Sequence, residues 1–228
     1  MHVDGCPLAE MHDLPSELGH LLHVLYSGRG ALKYERVDFA PLTATIRMAH
    51  KYQVHDLLTD ALVLLRTYFT DNLEVLQKAY SAGGSFALKR PTDAEAITVV
   101  ALARLTDTEM LLPVALYTCF QLDARSLLRG AALPDGANVS LSPDDLLRSK
   151  TNPRTQGSYV QSGKEFALFR PRAGFYEDIF GKGILCAQCV VKLRKSHDEE
   201  ITRAWKKLPG TMGLKVPNWC GGREGNPP

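Results

Sequence analysis

Two cysteines near the C-terminal end, Cys186 and Cys189, have the spacing with the most chemical potential in this 228-residue chain. Residues at i and i+3 of a helix share a face, so both thiolates could bind one zinc ion. A structural zinc site needs four ligands, and no second Cys-x-x-Cys or nearby His-x-x-x-His supplies the rest. A redox pair would be expected inside a βαβ pattern, which does not surround these residues. We therefore predict two buried, metal-free thiols, with a zinc-stabilised regulatory domain as the alternative.

Histidines are the next candidates for chemistry, because imidazole exchanges protons near neutral pH. Four of them lie in separate helix or turn patterns without an obvious carboxylate or serine partner: His20, His23, His50 and His55. No G-x-S-x-G elbow marks a nucleophile. Neither a phosphate-binding loop nor a dinucleotide fingerprint occurs. The sequence therefore predicts a protein that is not an enzyme and uses no cofactor.

The charge balance argues against nucleic acid as a partner. The chain has 27 Lys and Arg against 25 Asp and Glu, a net charge of +2, which gives no strong field of one sign. Basic residues cluster towards the C-terminal end, at Lys192, Arg194, Lys195, Arg203, Lys206 and Lys207. Three acidic residues, Asp198 to Glu200, interrupt them, so a solvated helix face is the better interpretation.

Composition also indicates the compartment. The apolar runs are shorter than the roughly 18 residues that cross a bilayer, so no membrane span is predicted. Five cysteines, an odd number, are spread over the chain, which is poor evidence for a disulfide framework. The first residues lack the basic start and apolar run of a secretory peptide. We expect an intracellular protein of the cytoplasm or nucleus.

Apolar residues in the first third of the chain recur with the 3.6-residue period of a helix. They form three stripes: Leu18, Leu21, Leu22, Leu25 and Tyr26; Phe39, Leu42, Ile46 and Ala49; and Leu58, Ala61, Leu62, Leu65 and Phe69. A fourth stripe lies between Ile184 and Leu208: Cys186, Cys189, Val190, Leu193, His197, Ile201, Trp205 and Leu208. No run alternates with the period of a strand. The pattern predicts an all-α fold, an irregular multi-helix bundle of at least six helices.

Helix starts and turn signals divide the chain. Asp38 and Ser142 suit N-caps, and Thr92-x-x-Glu95 and Thr106-x-x-Glu109 match the capping box. The expected segments are a disordered start at 1–12, a helical region at 13–80, a Gly/Ser/Pro-bearing linker at 81–91, a second helical region at 92–148, an irregular segment at 149–183, a long helix with its closing segment at 184–220 and a disordered tail at 221–228.

The order of motifs in the first helical region resembles the last three helices of BTB/POZ domains, as found in basidiomycete fungi. The resemblance rests on Leu21-Leu22-x-x-Leu25-Tyr26, on Leu42 to Ala49, and on the junction His50-Lys51-Tyr52-Gln53-Val54 with Leu57. The segment Ala204 to Pro209, with Trp219, resembles the closing segment of the same proteins. A complete BTB domain has a sheet before these helices, and only Met1 to His12 precede them. We therefore expect a member that lacks the sheet half, plus a helical C-terminal extension.

The resemblance implies a non-catalytic protein–protein interaction module, an adaptor or scaffold. The usual BTB dimer surface and cullin-recruiting surface draw on the sheet half, so neither activity is carried over. Without that half, apolar faces of the first helices are uncovered, and we predict self-association or dependence on a partner. The binding surface is expected at helix ends of the first region, at Tyr26, Tyr34, His50, Tyr52 and His55.

Overall fold

A computed structural model of the chain describes residues 2–3, 5–7, 11–28, 36–133, 136–150, 169 and 186–220. In these ranges the fold is all-α, as the sequence predicts, and contains nine α-helices. They are α1 Pro15–Ser27, α2 Phe39–Lys51, α3 His55–Arg66, α4 Leu73–Ser81, α5 Ala96–Leu105, α6 Leu112–Phe120, α7 Ala124–Arg129, α8 Pro143–Lys150 and α9 Ala187–Thr211. The predicted tail at 221–228, and the irregular segment at 149–183 apart from the end of α8 and Phe169, lie outside the described residues.

Two short antiparallel ladders accompany the helices. Strand β1 (His2–Val3) pairs with β2 (Cys6–Pro7), and β3 (Ala131–Ala132) pairs with β4 (Asn138–Val139). The first ladder lies within residues 1–12, where the sequence predicts a disordered start. Gly5 has φ +81°, the left-handed conformation that a two-residue hairpin turn needs. The Asp-Gly dipeptide at this position is a known signal for such a turn.

One hydrophobic core extends from α2 to the end of α9. Its largest fully buried members come from successive elements: Leu42 and Ile46, Leu65 and Phe69, Leu76, Leu88, Ile97 and Leu102, Leu111, Leu112 and Leu116, and Phe169. A smaller cluster joins α1 to α2 and α3 through Leu21, Val24, Met48, Ala49 and Leu57. Both helical regions of the sequence therefore share one core.

The segment at 81–91 is a packed loop, which corrects its prediction as a linker and domain boundary. Val37 N–H donates to the Ala87 carbonyl at 2.9 Å, and Lys89 N–H donates to the Val37 carbonyl at 3.1 Å. Leu88 between them is fully buried. Gly84 has φ +133°, and a Cβ there would lie 2.4 Å from the Leu88 carbonyl oxygen. The Gly/Ser composition thus allows a close approach of two backbones.

The predicted helix starts are correct in part. Thr92 and Glu95 form the capping box, with Thr92 N–H donating to the Glu95 carboxylate at 2.6 Å. The box predicted at Thr106 is wrong, because the Thr106 hydroxyl donates back to the Leu102 carbonyl at 2.8 Å and ends α5. A 3-10 turn, Glu109–Leu111, precedes α6 instead. Asp38 precedes α2, but its carboxylate pairs with Lys89 Nζ at 3.0 Å and caps no backbone N–H.

Ser142 caps α8 as predicted, since its hydroxyl oxygen accepts the Asp145 N–H at 3.1 Å. The Asp145 carboxylate then accepts two hydrogen bonds from Arg104 of α5, at 2.7 and 3.2 Å. Arg148 donates to the Met212 and Gly213 carbonyls after α9, at 3.0 and 2.6 Å. These contacts connect α5, α8 and the end of α9.

An aromatic cluster anchors the C-terminal half of α9. Trp205 is 2% exposed, and its ring centroid lies 4.9 Å from that of Phe169 and 5.1 Å from that of Trp219. The Trp205 indole N–H donates to the Asp71 carbonyl at 2.9 Å. The Trp219 indole N–H donates to the Trp205 carbonyl, also at 2.9 Å. The first half of α9 is different, because Val191 and Leu193 on it are exposed.

Candidate functional site

The predicted site residues at the α2–α3 junction surround one carboxylate. Lys51 Nζ and the Tyr52 hydroxyl both donate to the carboxylate of Asp13, which lies two residues before the first residue of α1. The Lys51 ammonium also lies 5.7 Å from the centroid of the Tyr52 ring. On α1 and α2 themselves, Arg47 Nε donates to Glu17 at 2.9 Å. The start of α1 is therefore held against the end of α2, so the two helices run antiparallel.

This shared contact shifts the pKa of each partner. The hydrogen bonds from Lys51 and Tyr52 lower the pKa of the Asp13 carboxyl. The bond to Asp13 in turn raises the pKa of Lys51 and of the Tyr52 hydroxyl. A lowered carboxyl pKa stabilises the fold above the pKa of an unfolded aspartate, and this contribution is lost as the pH falls through the folded value. The Tyr52 hydroxyl is thus engaged within the chain.

The junction itself is a tight reversal. Gln53 has φ +57°, and Val54 N–H donates to the Ala49 carbonyl at 2.9 Å, which closes the end of α2. His50 is half-buried in the last turn of α2, whereas His55 is exposed at the first position of α3. The junction therefore presents His55 and the ring of Tyr52 to solvent.

Tyr26 lies apart from this junction. It is 89% exposed in the last turn of α1, thirteen positions after Asp13, which is about 20 Å along a helix axis. Tyr34, also predicted, lies outside the described residues. The structure thus brings His50, Tyr52 and His55 to one end of the α1–α2 pair and places Tyr26 at the other.

Leucines connect the two ends along the outer side of α1. Leu21 and Val24 face the core, while Leu22 and Leu25 are 40% and 49% exposed. We define the α1 strip as Leu14, Leu18, Leu22, Leu25 and Tyr26. Successive members are one turn of helix or less apart, so they form a continuous apolar line. Leu18 is half-buried and the other members are exposed. The sequence predicts a stripe that includes Leu18, Leu22, Leu25 and Tyr26, part of it uncovered, with Tyr26 as a binding residue; Leu14 is not part of that prediction.

The cysteine pair differs from its prediction. Cys186 and Cys189 are both exposed, which corrects the expectation of buried thiols. In the stripe that contains them, Val190, Ile201, Trp205 and Leu208 are buried, and the last three belong to the main hydrophobic core. Cys186 is the N-cap of α9, and its Sγ accepts the Cys189 N–H at 3.4 Å. Among the residues that the structure describes, no group of three or more His, Cys, Asp or Glu side chains could hold a metal ion.

The basic residues of α9 lie beside acidic ones on the same face. An open depression of about 1060 Å³ runs along this helix, and the described part of its lining includes Arg194, Lys195, Asp198, Glu199 and Arg203. Opposite charges therefore alternate along the depression. This arrangement does not give the uninterrupted basic surface that a phosphate backbone needs.

A comparison with protein-family models, with curated proteins and with solved structures finds no match to this chain. The BTB/POZ likeness of the first helical region therefore stays a prediction. In the described ranges, no helix is both long and apolar enough to cross a membrane. The candidate sites among the described residues are the α1 strip, the α2–α3 junction and the cysteine pair.

The contact between Asp13 and Tyr52 gives a test of the junction geometry. In an Asp13→Ala variant the Tyr52 hydroxyl loses its acceptor, so its pKa is expected to fall towards the ordinary tyrosine value of about 10. Titration by NMR with ring-labelled tyrosine would follow this resonance. An Asp60→Ala variant on α3 serves as the control and should leave Tyr52 unchanged. Identical Tyr52 titrations in the wild type and the Asp13 variant would contradict the contact.

Proposed function

We propose that this protein is a non-catalytic protein–protein interaction module that docks an amphipathic helix of a partner protein on the α1 strip. The observation that carries the proposal is that α1 has apolar residues on two sides, one buried and one exposed. Leu21 and Val24 of this helix are buried against α2 and α3, while Leu22, Leu25 and Tyr26 remain exposed on its outer side. Exposed apolar surface of this continuity marks protein interaction sites.

The spacing of the strip fits a helical partner. Leu14, Leu18, Leu22 and Leu25 follow one another at intervals of four, four and three residues. A partner helix with apolar residues at i, i+3, i+4 and i+7 can pack along such a line, as in other helix-in-groove complexes. Tyr26 at the end of the strip adds a large aromatic side chain, a residue type enriched at binding hot spots.

One further point, which concerns the first helical region, supports an adaptor role. The likeness of this region to BTB/POZ helices implies a family that works by protein docking. The odd number of cysteines favours an intracellular site of action, and neither nucleic acid nor a membrane is part of the proposal.

Polar substitutions on the strip test the proposal. A Leu22→Ser/Leu25→Ser variant is expected to bind partners of the intact chain about a hundredfold more weakly, because both leucines become buried in the complex. Because both side chains are already partly exposed, its stability should change little. Leu128→Ser/Leu147→Ser removes two other exposed leucines and is the matched control. Partners purified with the intact chain would be measured by calorimetry against all three proteins.

Light scattering at tens of micromolar separates a foreign partner from a second copy. Self-association that the strip variant abolishes would identify the docked helix as that of another copy. Equal partner affinity of the strip variant, the control and the intact chain would contradict the assignment of the site to α1.

A further inference from the structure

We propose that Cys186 and Cys189 form a redox-active dithiol, which exchanges with low-molecular-weight disulfides and closes to a disulfide within the motif. Three observations point to this activity. Both thiols are exposed, Cys186 stands at the N-cap of α9, and its Sγ accepts the Cys189 N–H at 3.4 Å. The two thiols are therefore accessible and close together at a helix start, although the sequence has no βαβ pattern around them.

The helix start makes the two thiols chemically unequal. Hydrogen bonds from the backbone N–H and the thiol of Cys189 lower the pKa of Cys186. The same contact and the charge on Cys186 raise the pKa of Cys189. The N-terminal end of a helix also favours an anion, and α9 is 25 residues long. Cys186 is thus the attacking thiolate, and Cys189 is the resolving thiol.

The other cysteines with described side chains lack this activation. Burial raises the pKa of Cys119 to about 12, so it stays protonated and inaccessible. Burial and the charge of Asp71 raise the pKa of Cys220. Since the thiolate is the nucleophile in disulfide exchange, reactivity near neutral pH should concentrate at Cys186.

The reaction balances with a small disulfide RSSR as the oxidant. The Cys186 thiolate attacks one sulfur of RSSR, which forms a mixed disulfide and releases RS⁻. Cys189 then loses its proton to solvent and attacks Cys186 Sγ, which releases the second RS⁻. Each RS⁻ takes up a proton. The two protein thiols lose two electrons and two protons, and RSSR is reduced to two RSH.

The backbone permits a disulfide between Cys186 and Cys189 but does not favour it strongly. Residues three apart on a helix have Cβ atoms about 5–6 Å apart, whereas a disulfide needs about 3.5–4.5 Å. Cys186 has the extended backbone of an N-cap (φ −71°, ψ 160°), so it can pivot towards Cys189 without breaking the interior of α9. A disulfide formed under such constraint is readily reduced, which suits a reversible exchange.

Mass spectrometry of the full chain after incubation with oxidised glutathione tests the proposal. The wild type is expected to lose two hydrogen masses within the Cys186–Cys189 peptide. A Cys189→Ser variant should accumulate glutathione on Cys186, and a Cys186→Ser variant should react at least about tenfold more slowly at Cys189. Alkylation of Cys186 should follow a pKa below the ordinary thiol value of about 8.5. Cys220→Ser is the control and should behave as the wild type.

Equal reactivity of Cys186 and Cys189 in the single variants, or the absence of a disulfide within the motif, would overturn the proposal. Stoichiometric zinc in the purified chain, with both thiols protected from alkylation, would overturn it in favour of a metal site. Partner binding of the same variants, measured separately, reports on the α1 strip and is expected to be unchanged. Failure of either proposal can therefore be recognised independently of the other.

Discussion

Replacing Trp205 by alanine is expected to lower the free energy of unfolding by about 3–5 kcal/mol and to release α9 from the helical body. Trp205 is the central ring of the cluster with Phe169 and Trp219, and its indole N–H satisfies the Asp71 carbonyl far away in the sequence. The variant loses a large buried volume and leaves that carbonyl with the weak Cys220 thiol, at 3.7 Å, as its donor.

Urea unfolding followed by circular dichroism would measure this change. A Trp205→Phe variant should lose less, because it keeps much of the apolar volume and removes only the donor. Phe86, which is 82% exposed, provides the matched control, and Phe86→Ala should change stability by less than about 0.5 kcal/mol. A Trp205→Ala variant as stable as the Phe86 control would show that the aromatic cluster does not anchor α9.

The second large loss of stability is expected when the ion pair between Arg104 of α5 and Asp145 of α8 is broken. Asp145 is 3% exposed and accepts two hydrogen bonds from Arg104. Arg104→Met leaves this carboxylate buried with only Ser142 and Arg148 nearby. Removing one partner of such a pair should cost about 2–3 kcal/mol at neutral pH, since Arg104 itself is partly exposed.

The loss of unfolding free energy in Arg104→Met should be larger at neutral pH than at acidic pH. Burial opposes the charge on Asp145, but the hydrogen bonds and charge of Arg104 outweigh it and lower the carboxyl pKa. The contribution of the pair is therefore present at neutral pH and lost as the pH falls through the folded pKa. Urea unfolding at neutral and at acidic pH would compare Arg104→Met with Arg125→Met, a substitution of an exposed arginine on α7. A loss that is equal at both pH values, or equal in the two variants, would contradict the role of this pair.

Local patterns predict most helices of this fold, because their signals lie within a few residues. The stripe Phe39, Leu42, Ile46 and Ala49 is the buried face of α2, and Ser142 caps α8 as expected. The capping-box pattern at Thr106 fails because its hydroxyl already completes the end of α5. A capping-box pattern shows that a helix can start at a residue. Whether the helix starts there also depends on the hydrogen bonds that the same residue makes with the preceding helix.

The features that were not predicted depend on contacts between distant residues. The loop at 81–91 has the composition of a linker, yet its pairing with Val37 buries Leu88. Cys186 and Cys189 continue the apolar stripe of α9, yet both are exposed, whereas Val190, Ile201, Trp205 and Leu208 of the same stripe are buried. Periodicity gives the direction of a side chain around its helix, and it does not show where along the helix a packing partner ends.

The exposure and position of the candidate site residues can be predicted only in part from the sequence. Of the binding residues that the sequence predicts at helix ends, Tyr26, Tyr52 and His55 are exposed, His50 is half-buried, and Tyr34 lies outside the described residues. Tyr26 lies far from Tyr52 and His55 because α1 and α2 run antiparallel, with Asp13 in contact with Tyr52. No local sequence motif indicates this contact. The outer leucines of α1 share a stripe with Leu21, so only the packing of α1 on α2 distinguishes the two sides.

Site-specific photocrosslinking tests most directly whether the α1 strip is the docking surface. A photoreactive amino acid would replace Tyr26 in one protein and Phe86 in another, since both side chains are more than 80% exposed but only Tyr26 belongs to the strip. The purified partner should crosslink at position 26 through a segment with helical apolar spacing, and not at position 86. Crosslinking of equal yield at both positions, or undiminished binding without any crosslink at position 26, would contradict the proposal.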